Sequence, residues 1–354
     1  MGKSNGKKEI TILSVVFGIA LIIGILKFAG INDVCSILRS LSLKTIFYLI
    51  MLDFLIIFLY AYRWFRIIKR TKSKVSFLNI AKIELIGIFF NAITPGAQAG
   101  GEPVRAYLLS KTEKISGSKS IATIMVERLY DIIVYSIIML LSVFALFKLQ
   151  TELAFKLIIL FGLAMGIFVT VSILYVSINP NKSKKIAKKI LKILRNLRPM
   201  VKKVEIWSLR LDDEIMRYTS SFKKALSRSC VEGLFYTIAM RGSEILRLYI
   251  ICKVIAGIGI KETLTIYALL VIASLVPSPP AGIGVEETTY ILGLKALGVE
   301  MAKAASIMIL SRFFGTIIFT LVGGLLTYYE FGIKGMKKIR EKAKKAKERT
   351  KIDL

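Results

Sequence analysis

Apolar runs long enough to cross about 30 Å of hydrocarbon follow one another along this chain, at residues 10–29, 45–64, 120–147, 153–178, 230–255 and 302–329. Each predicts a membrane-spanning helix. Two further apolar stretches, 77–109 and 262–294, are interrupted by Thr94-Pro95-Gly96 and by Pro277-Ser278-Pro279-Pro280. Neither half of either stretch is long enough to span, and proline cannot continue a helix, so each reads as a re-entrant or broken helical hairpin. The expected fold is all-α: a polytopic membrane protein with six transmembrane helices plus two re-entrant hairpins.

The charges between these runs set the orientation. Lysine and arginine crowd residues 3–8, 63–74, 111–119, 182–228 and 334–351, whereas the connections at 32–44, 148–152, 257–262 and 298–303 are short and nearly neutral. The excess of positive charge on cytoplasmic loops places the first set inside and the second outside the cytoplasmic membrane, with both termini cytoplasmic. The first hairpin then dips in from the cytoplasmic side and the second from the external side. A basic segment, 1–9, precedes the first apolar run, but Lys27-Phe28-Ala29-Gly30 is a poor cleavage site; the run reads as an uncleaved helix rather than a signal peptide.

A shift of 184 residues superposes Arg63 on Arg247, Pro95 on Pro279, Ala97 on Ala281, Gly100 on Gly284, Glu102 on Glu286, Lys111 on Lys295 and Arg128 on Arg312. The repeating unit is span, broken hairpin, span, over 45–147 and 229–331. One extra span between them reverses the second unit, which predicts an inverted-topology repeat. In transporters that arrangement puts the substrate site near the midplane, between discontinuous helices of the two halves. A duplicated scaffold without transport is the competing reading.

Composition narrows the function classes. The 354 residues are 55% hydrophobic with mean hydropathy +0.65, yet carry a net charge of +29 and a pI near 10.0. The basic residues lie between apolar runs instead of sharing a face with stacking aromatics, so they suit loops against an anionic leaflet and not nucleic acid. With no histidine, His-based catalysis and His metal ligation are excluded, and Cys35, Cys230 and Cys252 form no CxxC pair. No metal or cofactor is expected. Residues 1–334 read as one integral membrane domain, with a basic cytoplasmic helical insertion at 181–228 and a basic tail at 335–354. Within the insertion, Ile186, Ile190, Ile193, Leu194 and Leu197 recur at helical spacing before Pro199, as in an amphipathic helix lying on the cytoplasmic leaflet. Asp212-Asp213-Glu214 reads as a solvated face.

The candidate chemistry lies where the apolar runs carry charge. Each ionised side chain at the bilayer centre costs about 2.5–3.5 kcal/mol or more unless paired or hydrated. The chain nonetheless places Glu102 and Arg105 past the first hairpin tip, Glu127, Arg128 and Asp131 in the following span, Glu286 and Glu287 past the second tip, and Arg312 in the last span. Arg241, Glu244 and Arg247 precede the second hairpin. Spacings of three and four favour intrahelical pairing, which accounts for some of these charges but not for their recurrence in both repeats. Pro95, Gly96 and Gly100 in the first tip, with Pro280, Gly282 and Gly284 in the second, present helix N-termini and glycines that allow close approach of an anionic head group. Three roles stay open for Glu102 and Glu286: capping a half-helix, binding an arginine across the pseudo-dyad, or carrying a coupling proton.

At these residues the chain resembles a known family. NAITPGAQAGGEPVRAYLL with ERLYD, and PSPPAGIGVEE with SRFFGT, are similar to the transmembrane region of lysylphosphatidylglycerol synthases, a flippase-like domain that also occurs alone in bacterial and archaeal membrane proteins. The resemblance spans about residues 10–330. In two-domain members this region moves an aminoacylated phospholipid between leaflets while a separate domain makes it; stand-alone relatives are linked to cell-surface glycan or lipid assembly. The family motif falls on Pro95, Gly96, Gly100, Glu102, Arg105, Glu127, Arg128, Pro280, Gly282, Gly284, Glu286 and Arg312. Gln98-Ala99 departs from a commoner glycine-rich pair, and about twenty residues after the last span leave no room for an aminoacyltransferase domain.

The expected function is translocation of a phosphate-bearing lipid or lipid-linked intermediate, with anionic membrane lipids as partners and no catalysis by this chain. The alternatives are a non-catalytic membrane partner of a separate glycosyl- or aminoacyltransferase and, less favoured, a lipid-modifying enzyme.

Overall fold

A computed structural model describes residues 31–94, 100–148, 153–197, 211–275 and 279–333. The described residues form helices and no strand. In chain order these are α1 (Ile31–Arg39), α2 (Leu43–Arg70), α3 (Phe77–Ile93), α4 (Gly101–Thr112), α5 (Gly117–Lys148), α6 (Leu153–Ile178), α7 (Pro180–Leu197), α8 (Leu211–Ala256), α9 (Ile260–Leu275), α10 (Val285–Ala296), α11 (Met301–Arg312) and α12 (Ile318–Thr327). π-Helical turns at Phe313–Ile317 and Tyr328–Ile333 continue α11 and α12 into one rod.

Four described segments are long and apolar enough to cross a membrane: Leu43–Arg70, Gly117–Ala145, Lys156–Ile178 and Met301–Gly332. They coincide with four of the six expected spans. The expected span at 230–255 is the C-terminal part of α8, where Arg241, Glu244 and Arg247 interrupt the apolar run. The expected span at 10–29 lies outside the described residues. The apolar side chains face outward where lipid would be: Leu157, Phe161 and Phe168 of α6 are exposed, as are Phe47, Phe54 and Phe58 of α2. Such surface suits hydrocarbon rather than water.

Both broken stretches fold back on themselves. The amide of Gly101 donates to Oδ1 of Asn91 at 2.6 Å, and Nδ2 of Asn79 donates to Oε1 of Glu113 at 2.7 Å, so α3 and α4 run antiparallel. Their 17 and 12 residues extend only ~25 and ~18 Å at 1.5 Å per residue, short of the hydrocarbon thickness. α9 and α10, of 16 and 12 residues, repeat the arrangement. Residues 95–99 and 276–278, including Pro95, Gly96 and Pro277, lie outside the described residues.

The packing repeats with the sequence offset. α2 packs on α3 as α8 packs on α9; α3 on α4 as α9 on α10; α4 on α5 as α10 on α11; and α3 on α12 as α9 on α5. The equivalent helices α2 and α8 lie side by side and antiparallel: Asp53 meets Arg247, Arg63 meets Thr237 and Arg66 meets Glu232, one number rising as the other falls.

The basic segment departs from the expected layout in one respect. α8 is one unbroken helix of 46 residues that starts at Leu211 and runs on into the charged span. α7 packs on α6 and α8, where Ser183 donates to the carbonyl of Val176 at 2.7 Å and Lys184 pairs with Asp212 at 2.6 Å. Asp212, Asp213 and Glu214 occupy the first turn of α8, where the helix dipole favours acids.

Candidate functional site

Helices from both repeats enclose a cavity of about 290 Å³ whose wall is far more polar than a lipid-facing surface. α2 contributes Tyr60 and Arg63; α3 and α4 contribute Glu84 and Arg105; α5 contributes Glu127, Arg128 and Asp131. From the second repeat come Arg241, Glu244 and Arg247 of α8, Tyr267 and Ser274 of α9, Glu286 and Tyr290 of α10, and Ser311, Arg312, Gly315 and Thr316 of the last rod.

The first-repeat wall is a continuous ionic network. Arg63 holds Asp131 at 2.7 Å and Glu127 at 3.2 Å. Arg105 reaches Glu127 at 2.5 Å and Glu84 at 2.7 Å, with its guanidinium 4.1 Å from the Trp64 ring centre. Arg241 crosses from α8 to Asp131 at 2.8 Å and also holds Glu244 at 2.9 Å and the Tyr60 hydroxyl at 2.7 Å. All the carboxylates but Glu244 are at least nine-tenths buried, as are the three arginines. Charges so desolvated persist only because each faces an opposite charge, and removing one partner strands the other.

Each hairpin also carries a pair of its own. Glu102 pairs with Arg128 in the first repeat, and Glu286 with Arg312 in the second. These four residues obey the 184-residue offset, so the structure contains the same ion pair twice. Both pairs lie within a repeat. Arg312 is the more enclosed partner. Its Nε reaches Glu287 at 3.0 Å and its Nη2 donates to the carbonyl of Ala281 at 2.7 Å, whereas Arg128 is 36% exposed.

The tips differ from the open cradle expected of them. At the first, a Cβ on Gly101 would collide with the Gly87 carbonyl and one on Gly100 with the Thr94 side chain. These glycines serve close helix packing. At the second, Ala281, Gly282 and Gly284 adopt positive φ of 59°, 69° and 93°, and Oε2 of Glu287 accepts from the Gly284 amide at 2.7 Å. Here glycine is needed for a backbone that L-residues adopt reluctantly, and Glu287 rather than Glu286 caps the half-helix that begins at Val285.

Of the residues expected at the site, Arg105, Glu127, Arg128, Asp131, Glu286 and Arg312 line one cavity; Glu102 backs it through Arg128, while Gly100, Pro280, Gly282 and Gly284 shape the hairpins. Pro95 and Gly96 lie outside the described residues. The expected set lacked Asp53, Tyr60, Arg63 and Glu84; Arg63, assigned by its charge to the basic cytoplasmic stretch 63–74, is instead buried against Glu127 and Asp131. Asp53 and Glu84 were legible by the criterion used for the others, since each is a lone acid inside an apolar run. Tyr60 carried no such signal.

The transmembrane region of lysylphosphatidylglycerol synthases matches residues 12–323 of this chain. A UPF0104 membrane protein of Pyrococcus horikoshii is 26% identical over 89% of the chain and 95% of its own length. A second, of Methanocaldococcus jannaschii, is 26% identical over 85% of the chain and 89% of its own length. A third, of Methanothermobacter thermautotrophicus, is 26% identical over 85% and 88% respectively. Multiple apolar helices, a pair of hairpins and a buried charge network between them thus accompany a match over most of the sequence, and the chain belongs to the family of the lysylphosphatidylglycerol synthase transmembrane region.

Proposed function

We propose that this protein is a translocase that carries a phosphate-bearing lipid or lipid-linked intermediate across the cytoplasmic membrane. In this reading six spans and two re-entrant hairpins form an inverted-topology repeat with both termini cytoplasmic, and one repeat moves against the other around the central cavity. The observation that carries it is the duplicated ion pair, Glu102–Arg128 and Glu286–Arg312, one at each hairpin beside a cavity walled by both repeats. A passive anchor has no use for two equivalent charge pairs in hydrocarbon. In alternating access, such pairs part and re-form as the site opens to one side and then the other.

Protein purified and reconstituted into vesicles of phosphatidylcholine with phosphatidylglycerol should speed leaflet exchange of a fluorescent phosphatidylglycerol at least tenfold over protein-free vesicles. If no phosphate-bearing lipid, including those of a native extract, exchanges faster with the protein, the translocase reading falls. A second reading has an observation of its own. A buried network whose carboxylates all face arginines also makes a rigid scaffold, as a membrane partner of a separate glycosyl- or aminoacyltransferase would need. Co-purification with such an enzyme, together with full function of Glu102→Ala and Arg312→Ala, would favour it.

A further inference from the structure

The two repeats share a backbone plan but not a charge plan. Arg63 and Arg247 are equivalent, and so are the residues around them: Glu84 with Ala268, Glu127 with Ser311, and Asp131 with Gly315. Three acids of the first repeat are thus absent from the second. Arg63 is consumed by its carboxylates, with Nη1 on Asp131 at 2.7 Å and Nε on Glu127 at 3.3 Å. Arg247 has Nη1 on Asp53 at 2.6 Å, while Nη2 is turned toward Gly315, where an added Cβ would lie 2.9 Å from it.

We infer that the Arg247 guanidinium, which this asymmetry leaves with Asp53 as its carboxylate partner, is the seat of the substrate's phosphate, on its cavity-facing side next to Gly315. The inference rests on the translocase reading and gives its site a chemistry. At the repeat-equivalent positions of Glu127 and Asp131 the wall offers Ser311 and Gly315, and the Ser311, Thr316 and Thr320 hydroxyls line the cavity. Oγ1 of Thr320 is buried with no hydrogen-bond partner, and the Ser311 hydroxyl faces that of Tyr290 without a well-formed bond. A guanidinium in a cavity wall that also carries the Ser311, Thr316 and Thr320 hydroxyls fits a phosphate diester or monoester, which accepts several hydrogen bonds at once. The π-helical turn Phe313–Ile317 supports the assignment. It follows Arg312 directly and presents Gly315 to the cavity, and such turns mark functional stretches of otherwise regular helices.

The test restores the missing acid. Gly315→Asp places a carboxylate where Asp131 stands in the first repeat, and the atom it would meet is the movable end of Arg247. Gly315→Asn has the same size without the charge. Binding of glycerophosphoglycerol and of inorganic phosphate to each purified variant is measured by calorimetry, alongside leaflet exchange of fluorescent phosphatidylglycerol in phosphatidylcholine vesicles. The Asp variant should bind the diester at least tenfold more weakly than the Asn variant and exchange lipid correspondingly more slowly. Equal behaviour of the two variants overturns the seat even if the wild type moves lipid. Diester binding that is lost in the Asp variant, in a protein that exchanges no lipid, keeps the seat and removes the translocase. Inorganic phosphate binding as tightly as the diester would overturn a lipid head group in favour of free phosphate. Should Gly315→Asp fail to fold, Arg247→Lys against Arg247→Gln asks the same question: the charged variant should retain measurably more diester affinity, and parity overturns the seat.

Discussion

The hydroxyl of Tyr60 donates to Oε1 of Glu244 at 3.2 Å, and the two residues are separated by the 184 positions that relate the repeats. A residue can touch its own repeat equivalent only where the pseudo-symmetry axis passes between them. The axis therefore runs between the antiparallel helices α2 and α8, through the middle of the charged cavity. A phenol on one side and a carboxylate on the other also show that the symmetry is one of backbone and not of chemistry.

Tyr60→Phe tests how much that contact matters. It removes the bond to Glu244 and the bond accepted from Arg241 at 2.7 Å, while Glu244 keeps Arg241 and the Tyr267 hydroxyl at 2.5 Å. A loss of about 1–3 kcal/mol is expected from leaving buried donors short of an acceptor. Tyr267→Phe serves the same carboxylate, so the double variant should be non-additive by at least ~0.5 kcal/mol in chemical unfolding. Strict additivity would mean that the two phenols act on Glu244 independently.

Asp131→Asn should be among the most damaging single changes in the protein. It withdraws the charge that Arg63 and Arg241 share, with both arginines about 95% buried or more. Breaking a buried pair from one side costs about 3–5 kcal/mol. Glu232→Gln provides the contrast. Glu232 also meets two arginines, Arg66 and Arg70, but all three side chains are 29–41% exposed. Solvent screening should hold that change within about 1 kcal/mol. Comparable losses for the two variants would contradict the burial pattern.

Four of the spans and both hairpin breaks were legible in the sequence because apolar length and proline position are local properties. The hairpin ion pairs were half legible. The offset located Glu102, Arg128, Glu286 and Arg312, but one sequence cannot say whether a glutamate binds the arginine of its own repeat or that of the other, since both are reachable in a two-fold arrangement. Arg105 looked like a head-group ligand next to a tip and is instead locked between Glu84 and Glu127. Glu84 lies 21 residues away on the other arm of the hairpin, so only folding back brings it there. The glycine at 100 was read as room for a ligand, yet an added Cβ there would meet the Thr94 side chain at the end of α3, because sequence alone does not reveal which side of a turn is filled.

Glycine substitutions separate those roles. Gly323 sits where α12 crosses α3, and a Cβ there would run into the Leu85 carbonyl, which cannot move without shifting the helix. Gly323→Ala should therefore lower stability by about 1–3 kcal/mol through overpacking. Gly242, inside α8, has nothing within 4 Å of an added Cβ. Gly242→Ala should raise stability by about 0.5–1 kcal/mol, the helix-propensity difference. Thermal unfolding in one detergent reads both signs, and a destabilising Gly242→Ala would refute the packing described for α8.

The proposed orientation is open to chemical labelling. Cys35 and Cys230 are exposed and would be replaced by serine first; Cys252 is buried. In that background, Lys303→Cys should react with a membrane-impermeant maleimide in intact cells, and Lys114→Cys only after permeabilisation. The reverse pattern would invert the assignment drawn from loop charges.

Charge reversal at the two hairpin pairs should expose their different surroundings. Glu102→Lys and Arg128→Glu are each expected to slow lipid exchange at least tenfold, because either leaves like charges facing one another beside the cavity. Combining them restores an opposite-sign pair, but Asp131 lies 3.9 Å from Arg128 and would repel the new glutamate, so recovery should be partial. In the second repeat the same swap, Glu286→Lys with Arg312→Glu, should recover far less. Arg312 also bonds Glu287 at 3.0 Å and the Ala281 carbonyl at 2.7 Å, and a glutamate in its place would face two acceptors, of which Glu287 is almost fully enclosed. Glu287 cannot move away, since its other oxygen caps the half-helix through Gly284. Equal recovery in both repeats would mean that the pairs act as isolated latches. Recovery confined to the first would show that the second is built into the hairpin's own fold, leaving Glu102–Arg128 as the pair able to open without unravelling a helix end.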